Sequence, residues 1–183
     1  MSQTQRSMAY KGITQVGNTC VLASVAGAVN NALDRQVWAL RDLEAAWQGT
    51  CSLPLEQINF SNVQPIAAKP VATELRLTQY VDTHTTISSA DYLARIDRCI
   101  DGGGVAILSF EVWKNAPLPP VLVGWHMLSL FSRNGAMYEA WDTIGRFHTV
   151  SAQQLTSAFP YGQGHELHMH DHHDMLLVER LTP

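Results

Sequence analysis

The segment VLASVAGAVNNAL, Val21 to Leu33, is apolar on nearly every face of a helix. A helix built from it has no solvent side, so the rest of the chain must cover it all round. The composition can meet that demand: of 183 residues, 46% are hydrophobic and only 15% charged. This is enough for a core without staples, and too apolar for a disordered chain. With 12 Lys+Arg against 16 Asp+Glu and no basic cluster, the chain is poorly suited to grip a phosphate backbone, so no nucleic-acid partner is expected. No apolar run reaches the roughly 18 residues of a membrane span. The opening MSQTQRSMAYKG also lacks the apolar stretch of a Sec signal. The expectation is a cytoplasmic protein, or one exported by a system that needs no Sec signal, with no membrane partner. Without a repeat, linker or charge block, residues 1–183 read as a single domain whose oligomeric state these features do not specify.

Asn18 or Thr19 would cap the buried helix and place Cys20 in its first turn. Asp34 reads as the cap of a second helix, with Val37, Leu40, Glu44 and Trp47 at helical spacing. Pro54, Pro65 and Pro70 make 49–70 an irregular connection with a short helix near Leu53–Ile58. A strand is expected over Ala72–Tyr80. Ser88 and Asp91 open a helix with a Leu93, Ile96 and Ile100 stripe, and Gly102-Gly103-Gly104 stops it. Beyond it the texture turns to strands: Val105–Val112, Val121–Phe131, then Ala136–Asp142 after the Asn134-Gly135 hairpin signal, and Phe147–Val150. Ser151 and Gln154 form a capping box for a short helix to Phe159, and Met175–Leu181 closes the fold. Helices first and an antiparallel sheet after them define an α+β class.

The cysteines Cys20, Cys51 and Cys99 are too few, and odd in number, for a disulfide framework. Cys20 stands apart. The Gly-Asn-Thr turn in GITQVGNTCVLAS delivers it to the start of the buried helix, where unpaired N–H groups and the positive dipole end favour a thiolate. Gln15, five residues upstream, can fold back to donate to an oxyanion formed at the sulfur. His126 lies inside an apolar strand, where a lone polar side chain needs a partner. Sixteen residues on, Asp142 ends the returning strand of the hairpin. Adjacent antiparallel strands would bring the two together, the aspartate fixing the imidazole tautomer and leaving the other nitrogen for Cys20. Each residue also has an ordinary structural role open to it: Cys20 as a small core residue, His126 as a satisfied core histidine, and Asp142 as a turn residue before Gly145.

In order and local motif, Gln15, Cys20, His126 and Asp142 resemble the papain-like cysteine peptidase superfamily. The stretch GITQVGNTC is similar to the cysteine box of ubiquitin-specific proteases, with Gln15 where those have Asn, and Gln at that offset resembles the Josephin type. GWHMLSLFSRNGAMYEAWDTIG is similar in layout to bacterial peptidases that trim double-glycine leaders. Val21, Ala23 and Trp125 depart from the usual boxes, and the Cys-x-x-Cys zinc pairs of ubiquitin-specific proteases are absent. The resemblance implies a papain-like fold. A helical part with a buried Cys-bearing helix would precede a sheet carrying His and Asp. It also implies Cys20 as nucleophile, His126 as base then acid, Asp142 as orienter, and Gln15 with the Cys20 N–H as oxyanion donors. The reaction would attack an amide of a protein or peptide substrate, form a thioester and release it to water, with no cofactor. A bacterial source is implied by the same layout.

Two other readings stay open. A glutamine deamidase or transglutaminase-type effector would use the same triad. A non-catalytic binding module, or a His-rich metal-binding protein, would not. The metal reading comes from His165, His168, His170, His172 and His173 in GHELHMHDHHD. Gly162-Gln163-Gly164 beside them suggests a solvated loop instead, and no metal site is assigned. His148 is a rival base expected too far along the sheet. Cys51 and Cys99 read as structural, and Trp125 and Trp141 as the aromatic residues that wall the site from water.

Overall fold

The computed structural model describes residues 10–81, 87–115, 119–161, 164–169 and 174–181. Helix α1, Cys20–Leu33, is the axis of its first half. Every residue from Val21 to Val29 is buried, as the all-round apolar pattern requires. Asp34 does not open the next helix. It ends this one in the left-handed region (φ 56°), its N–H donating to Asn30 and Asn31 carbonyls, a conformation that a short polar side chain tolerates. Helix α2 starts later, at Leu40, and runs to Thr50, burying Leu43 and Trp47. The Asn30 amide ties the link between them, accepting from Val37 and Trp38 N–H and donating to the Trp38 carbonyl.

The connection 49–70 is more ordered than its prolines suggest. After a 3-10 turn at Leu55–Gln57, helix α3 runs from Phe60 to Ala68 through Pro65. A reciprocal capping box between Asn59 and Asn62 starts it, and Phe60, Val63 and Ala67 bury its inner stripe. Pro65 sits on the exposed face above Ser61, so the lost backbone bond falls where water replaces it. Helix α4, Ser89–Asp101, opens on the Ser88 cap and ends at Gly102, as expected.

Strand β1, Leu75–Tyr80, is shorter at its start than the expected segment. The remaining strands are β2 (Val105–Lys114), β3 (Val121–Asn134), β4 (Met137–Asp142), β5 (Arg146–Ser151), β6 (Phe159–Pro160), β7 (His165–Met169) and β8 (Met175–Arg180). The main path runs β1-β8-β2-β3-β4-β5 with antiparallel neighbours, while β7 pairs β2 and β6. The last helix, α5, covers only Ala152–Leu155, stopping well short of Phe159, although its Ser151–Gln154 capping box forms.

Both faces of this sheet are covered, which explains the nearly unbroken apolar run in β2. Val105 and Ile107 join the core around α1, α2 and α3, and Ala106, Leu108 and Phe110 join the core against α4. The two clusters together give helices plus an antiparallel sheet, an α+β arrangement. No helix among the described residues is long and apolar enough to cross a membrane.

Candidate active site

The loop 12–19 carries Gln15 across the end of β4 to the start of α1. Its path rests on Trp141, whose indole N–H donates to the Ile13 carbonyl (3.1 Å). A Cβ on Gly12 would overlap the Trp141 ring, so only glycine lets the chain pass. Next, the Gln15 N–H donates to the Thr143 carbonyl (2.8 Å) and the Thr143 hydroxyl donates to Gln15 Oε1 (2.6 Å). The Gly17 carbonyl, which can only accept, fixes which end of the amide is nitrogen. Gln15 Nε2 then donates one hydrogen to the Gly17 carbonyl (3.0 Å) and keeps a second without a partner among the described residues.

Thr19 precedes α1 but leaves its helix N–H groups uncapped, because its hydroxyl is exchanged reciprocally with Val16. Cys20 is the first helical residue and is partly buried. Burial pushes its thiol up, against a smaller pull down from the backbone N–H groups of Val21 and Cys20. The helix start therefore does not ionise the sulfur unaided.

Cys20, Gln15 and Asn18 line a cleft of about 580 Å³. Residues Leu55 to Phe60 form one wall, and Ser109, Asp174, Val123 to Trp125 and Met127 another. That first wall comes from the 49–70 segment, which the sequence marks as an irregular connection. Trp125 is 48% exposed on the rim, whereas Trp141 lies at 9%, beneath the Gln15 loop.

His126 sits between two lining residues on β3. In register it opposes Phe110, and Leu128 opposes Asp142, so the His126 and Asp142 side chains share one face. Asp142 is fully buried, and four donors reach its carboxylate. His126 Nε2 lies 2.6 Å from Oδ1, which also accepts the Ile144 N–H (3.0 Å). Oδ2 accepts from the Tyr161 hydroxyl (2.7 Å) and from His148 Nε2 (3.2 Å). A carboxylate can only accept, so His126 carries its proton on Nε2 and presents Nδ1 as a lone pair, with no partner among the described residues. Burial alone would raise the Asp142 carboxyl, but the bonds from His126 and His148 and the Ile144 N–H outweigh it. They hold the group well below the ordinary carboxylate range.

The structure thus brings His126 to Asp142, and Gln15 to the cleft of Cys20. Among the described residues no hydrogen bond joins Cys20 to His126, and His126 is not itself one of the residues that line the cleft of Cys20, although its neighbours Trp125 and Met127 are. His148 is nearer than expected. It pairs Ala140 across β5, and same-face side chains two residues along adjacent strands meet diagonally, which brings its ring to Asp142. Tyr161 and Thr143 carry no signal in the sequence, because their partners come from elements far apart along the chain.

Residues 165–169 are a strand and not the expected loop. Leu167 is buried between the half-buried Glu166 and His168. His168 lies 3.1 Å from Glu166, while His170, His172 and His173 lie outside the described residues. No cluster of three or more His, Cys, Asp or Glu among the described residues is placed to hold a metal ion. Cys99 is buried against the Val178 carbonyl and its thiol is pushed up to about 12 by burial; Cys51 packs partly buried beside the α1 core.

The sequence matches no family model and no curated protein. Among solved structures, the chain is similar to the peptidase domain of Streptococcus ComA, a bi-functional ABC transporter involved in a quorum-sensing pathway. That match has 13% identity over 88% of this chain and 99% of that one, with a TM-score of 0.49. It is also similar to the Pseudomonas avirulence protein AvrPphB, with 11% identity over 99% of this chain and 100% of that one and a TM-score of 0.38.

Proposed function

We propose that this chain is a papain-like cysteine hydrolase that cleaves an amide bond of a protein or peptide through a thioester, its residues forming one catalytic unit. The observation that carries this reading is the buried His126–Asp142 bond of 2.6 Å, which leaves His126 Nδ1 as a free base. Trp125 and Met127, on either side of His126, line a cleft that holds Cys20, the one helix-starting thiol among the described residues. In the proposed cycle, Nδ1 takes the Cys20 proton and Sγ attacks the carbonyl carbon. The oxyanion receives the spare Gln15 amide hydrogen and the Cys20 backbone N–H. The amine leaves with the proton from His126, and water, deprotonated by the same nitrogen, releases the acid and restores the thiol.

The raised thiol gives the base its purpose: a sulfur that burial keeps protonated is a weak nucleophile until its proton has somewhere to go. The test is alkylation by iodoacetamide at pH 6, followed by peptide mass spectrometry. Cys20 should label far faster than Cys51 and Cys99, and His126→Ala should abolish the difference. Equal, slow labelling of all three thiols rejects the reading. With a candidate substrate, backbone cleavage gives fragments, whereas attack on a glutamine side chain adds about one mass unit to an intact chain.

A further inference from the structure

Asp142 is held from its far side by a residue the triad does not include. Tyr161 follows β6, and its N–H donates to the His165 carbonyl (2.8 Å), tying it to β7. β7 in turn pairs with β2, the neighbour of the His126 strand. From that anchored position the hydroxyl donates to Asp142 Oδ2 at 2.7 Å, and its oxygen lies 3.1 Å from His126 Nε2. The phenol ring leans over both imidazoles, with centroids 5.2 Å from His126 and 6.2 Å from His148. The other Oδ2 donor, His148, is longer at 3.2 Å and its side chain is 33% exposed, so Tyr161 is the firmer hold.

We propose that Tyr161 is a positioning residue of this site. Its hydroxyl fixes the Asp142 carboxylate and the His126 ring in the one orientation that leaves Nδ1 to serve Cys20. The inference rests on the catalytic reading above and deepens it. Tyr161 donates its proton to Oδ2, so its oxygen is free to accept. The Nε2–H of His126 therefore meets two acceptors, Asp142 Oδ1 and the Tyr161 oxygen. A ring protonated on Nδ1 instead would aim the Nε2 lone pair at a carboxylate 2.6 Å away, and a ring turned over would set Cε1 where Nε2 stands and lose the hydrogen bond. The network thus selects both tautomer and ring orientation. Tyr161 acts through Asp142 and His126, and is not itself among the residues that line the cleft.

The test measures the iodoacetamide rate at Cys20 across pH in wild type, Tyr161→Phe and His126→Ala. At pH 6 the thiol depends on its base, and that dependence weakens as rising pH ionises the sulfur directly. Tyr161→Phe should slow Cys20 about tenfold at pH 6, the weight of one hydrogen bond to a charged group, and by a smaller factor at pH 10. In an Asp142→Asn background the same substitution should change nothing further. Wild-type rates at pH 6, or an equal loss at both pH values, would overturn the role of Tyr161 while leaving the catalytic reading standing. If His126→Ala labels like wild type at pH 6, the catalytic reading itself fails. A second measurement needs no variant: imidazole nitrogen shifts of the wild-type protein should report His126 protonated on Nε2, and protonation on Nδ1 overturns the proposal.

Discussion

Asp142→Asn is the substitution whose cost follows most directly from the geometry. The carboxylate has no exposed surface and receives two donors on each oxygen: His126 and Ile144 on Oδ1, Tyr161 and His148 on Oδ2. Asparagine keeps the shape but turns one oxygen into an NH2 group. Nitrogen at the Oδ1 end faces the Ile144 N–H, a fixed donor, and forces His126 to its other tautomer. Nitrogen at the Oδ2 end forces the Tyr161 hydroxyl and the His148 ring to turn from donors to acceptors. Either way the negative charge that four donors meet is lost. A hydrogen bond to a charged group contributes about 1.5–3 kcal/mol, so the variant should lose about 3–5 kcal/mol at pH 7. This is a large part of the stability of an ordinary domain. Urea unfolding monitored by the fluorescence of the five tryptophans would measure it.

The pH dependence supplies an independent check. In the unfolded chain an aspartate titrates near 3.9, within the usual range, and in the fold Asp142 is held below its ordinary value. Its stabilisation is therefore complete above the unfolded value. As pH falls below about 4 the unfolded chain takes up a proton that the folded chain refuses, and the stabilisation drains away until the depressed value is passed. Asparagine does not titrate. The gap between wild type and variant should thus narrow by about 1 kcal/mol between pH 5 and pH 3. A gap under about 1 kcal/mol at pH 7, or one that stays constant down to pH 3, would refute the claim that a charged, fully paired carboxylate anchors this site.

Two further substitutions test the frame around it. Gly12→Ala puts a methyl group into the Trp141 indole, which cannot swing aside without losing its bond to Ile13, so overpacking should cost about 1–3 kcal/mol and several degrees of thermal midpoint; an unchanged melting curve would show that the loop 12–19 is not seated on that ring. Arg133, at the far end of β3, pairs with Asp97 and Asp101 of α4 at partly exposed positions, and Arg133→Ala should cost under about 1 kcal/mol, less in high salt; a loss above about 2 kcal/mol in a urea melt would contradict that reading.

What the sequence made legible was set by how far apart along the chain the interacting residues lie. His126 and Asp142 are joined by one hairpin that the Asn134-Gly135 turn makes legible; an irregularity between Leu130 and Ser132 then shifts the register by one and sets Asp142 opposite Leu128, on the face of His126. Cys20 and α1 were legible for a similar reason, since an all-round apolar segment has only one kind of environment. The segments misread were those where local chemistry and long-range packing disagree. Pro65 argues for a break, but it lies on the solvent side of α3, where the missing bond costs little. The histidines of β7 argue for a polar loop, yet pairing with β2 and the burial of Leu167 make a strand. Asp34 has the chemistry of a helix start and also that of a left-handed stop, and only the path of the chain decides between them.

The parts of the site that stayed hidden share one property. Thr143 meets Gln15 at a separation of 128 residues, and Tyr161 reaches His126 at 35 by way of β7, which pairs with the far side of β2, and β6, which pairs with β7. No periodicity or turn signal encodes such contacts, because each depends on where the whole sheet places two unrelated backbones. The same dependence gives them a function. A hairpin alone can bring a histidine to an aspartate, but it cannot choose which oxygen the ring meets or which nitrogen keeps the proton. Those choices need donors arriving from outside the hairpin, and Tyr161, His148 and the Ile144 N–H arrive from three separate positions. The candidate residues Cys20, His126 and Asp142 stand in local, readable patterns, whereas the contacts that orient them are supplied by the tertiary fold.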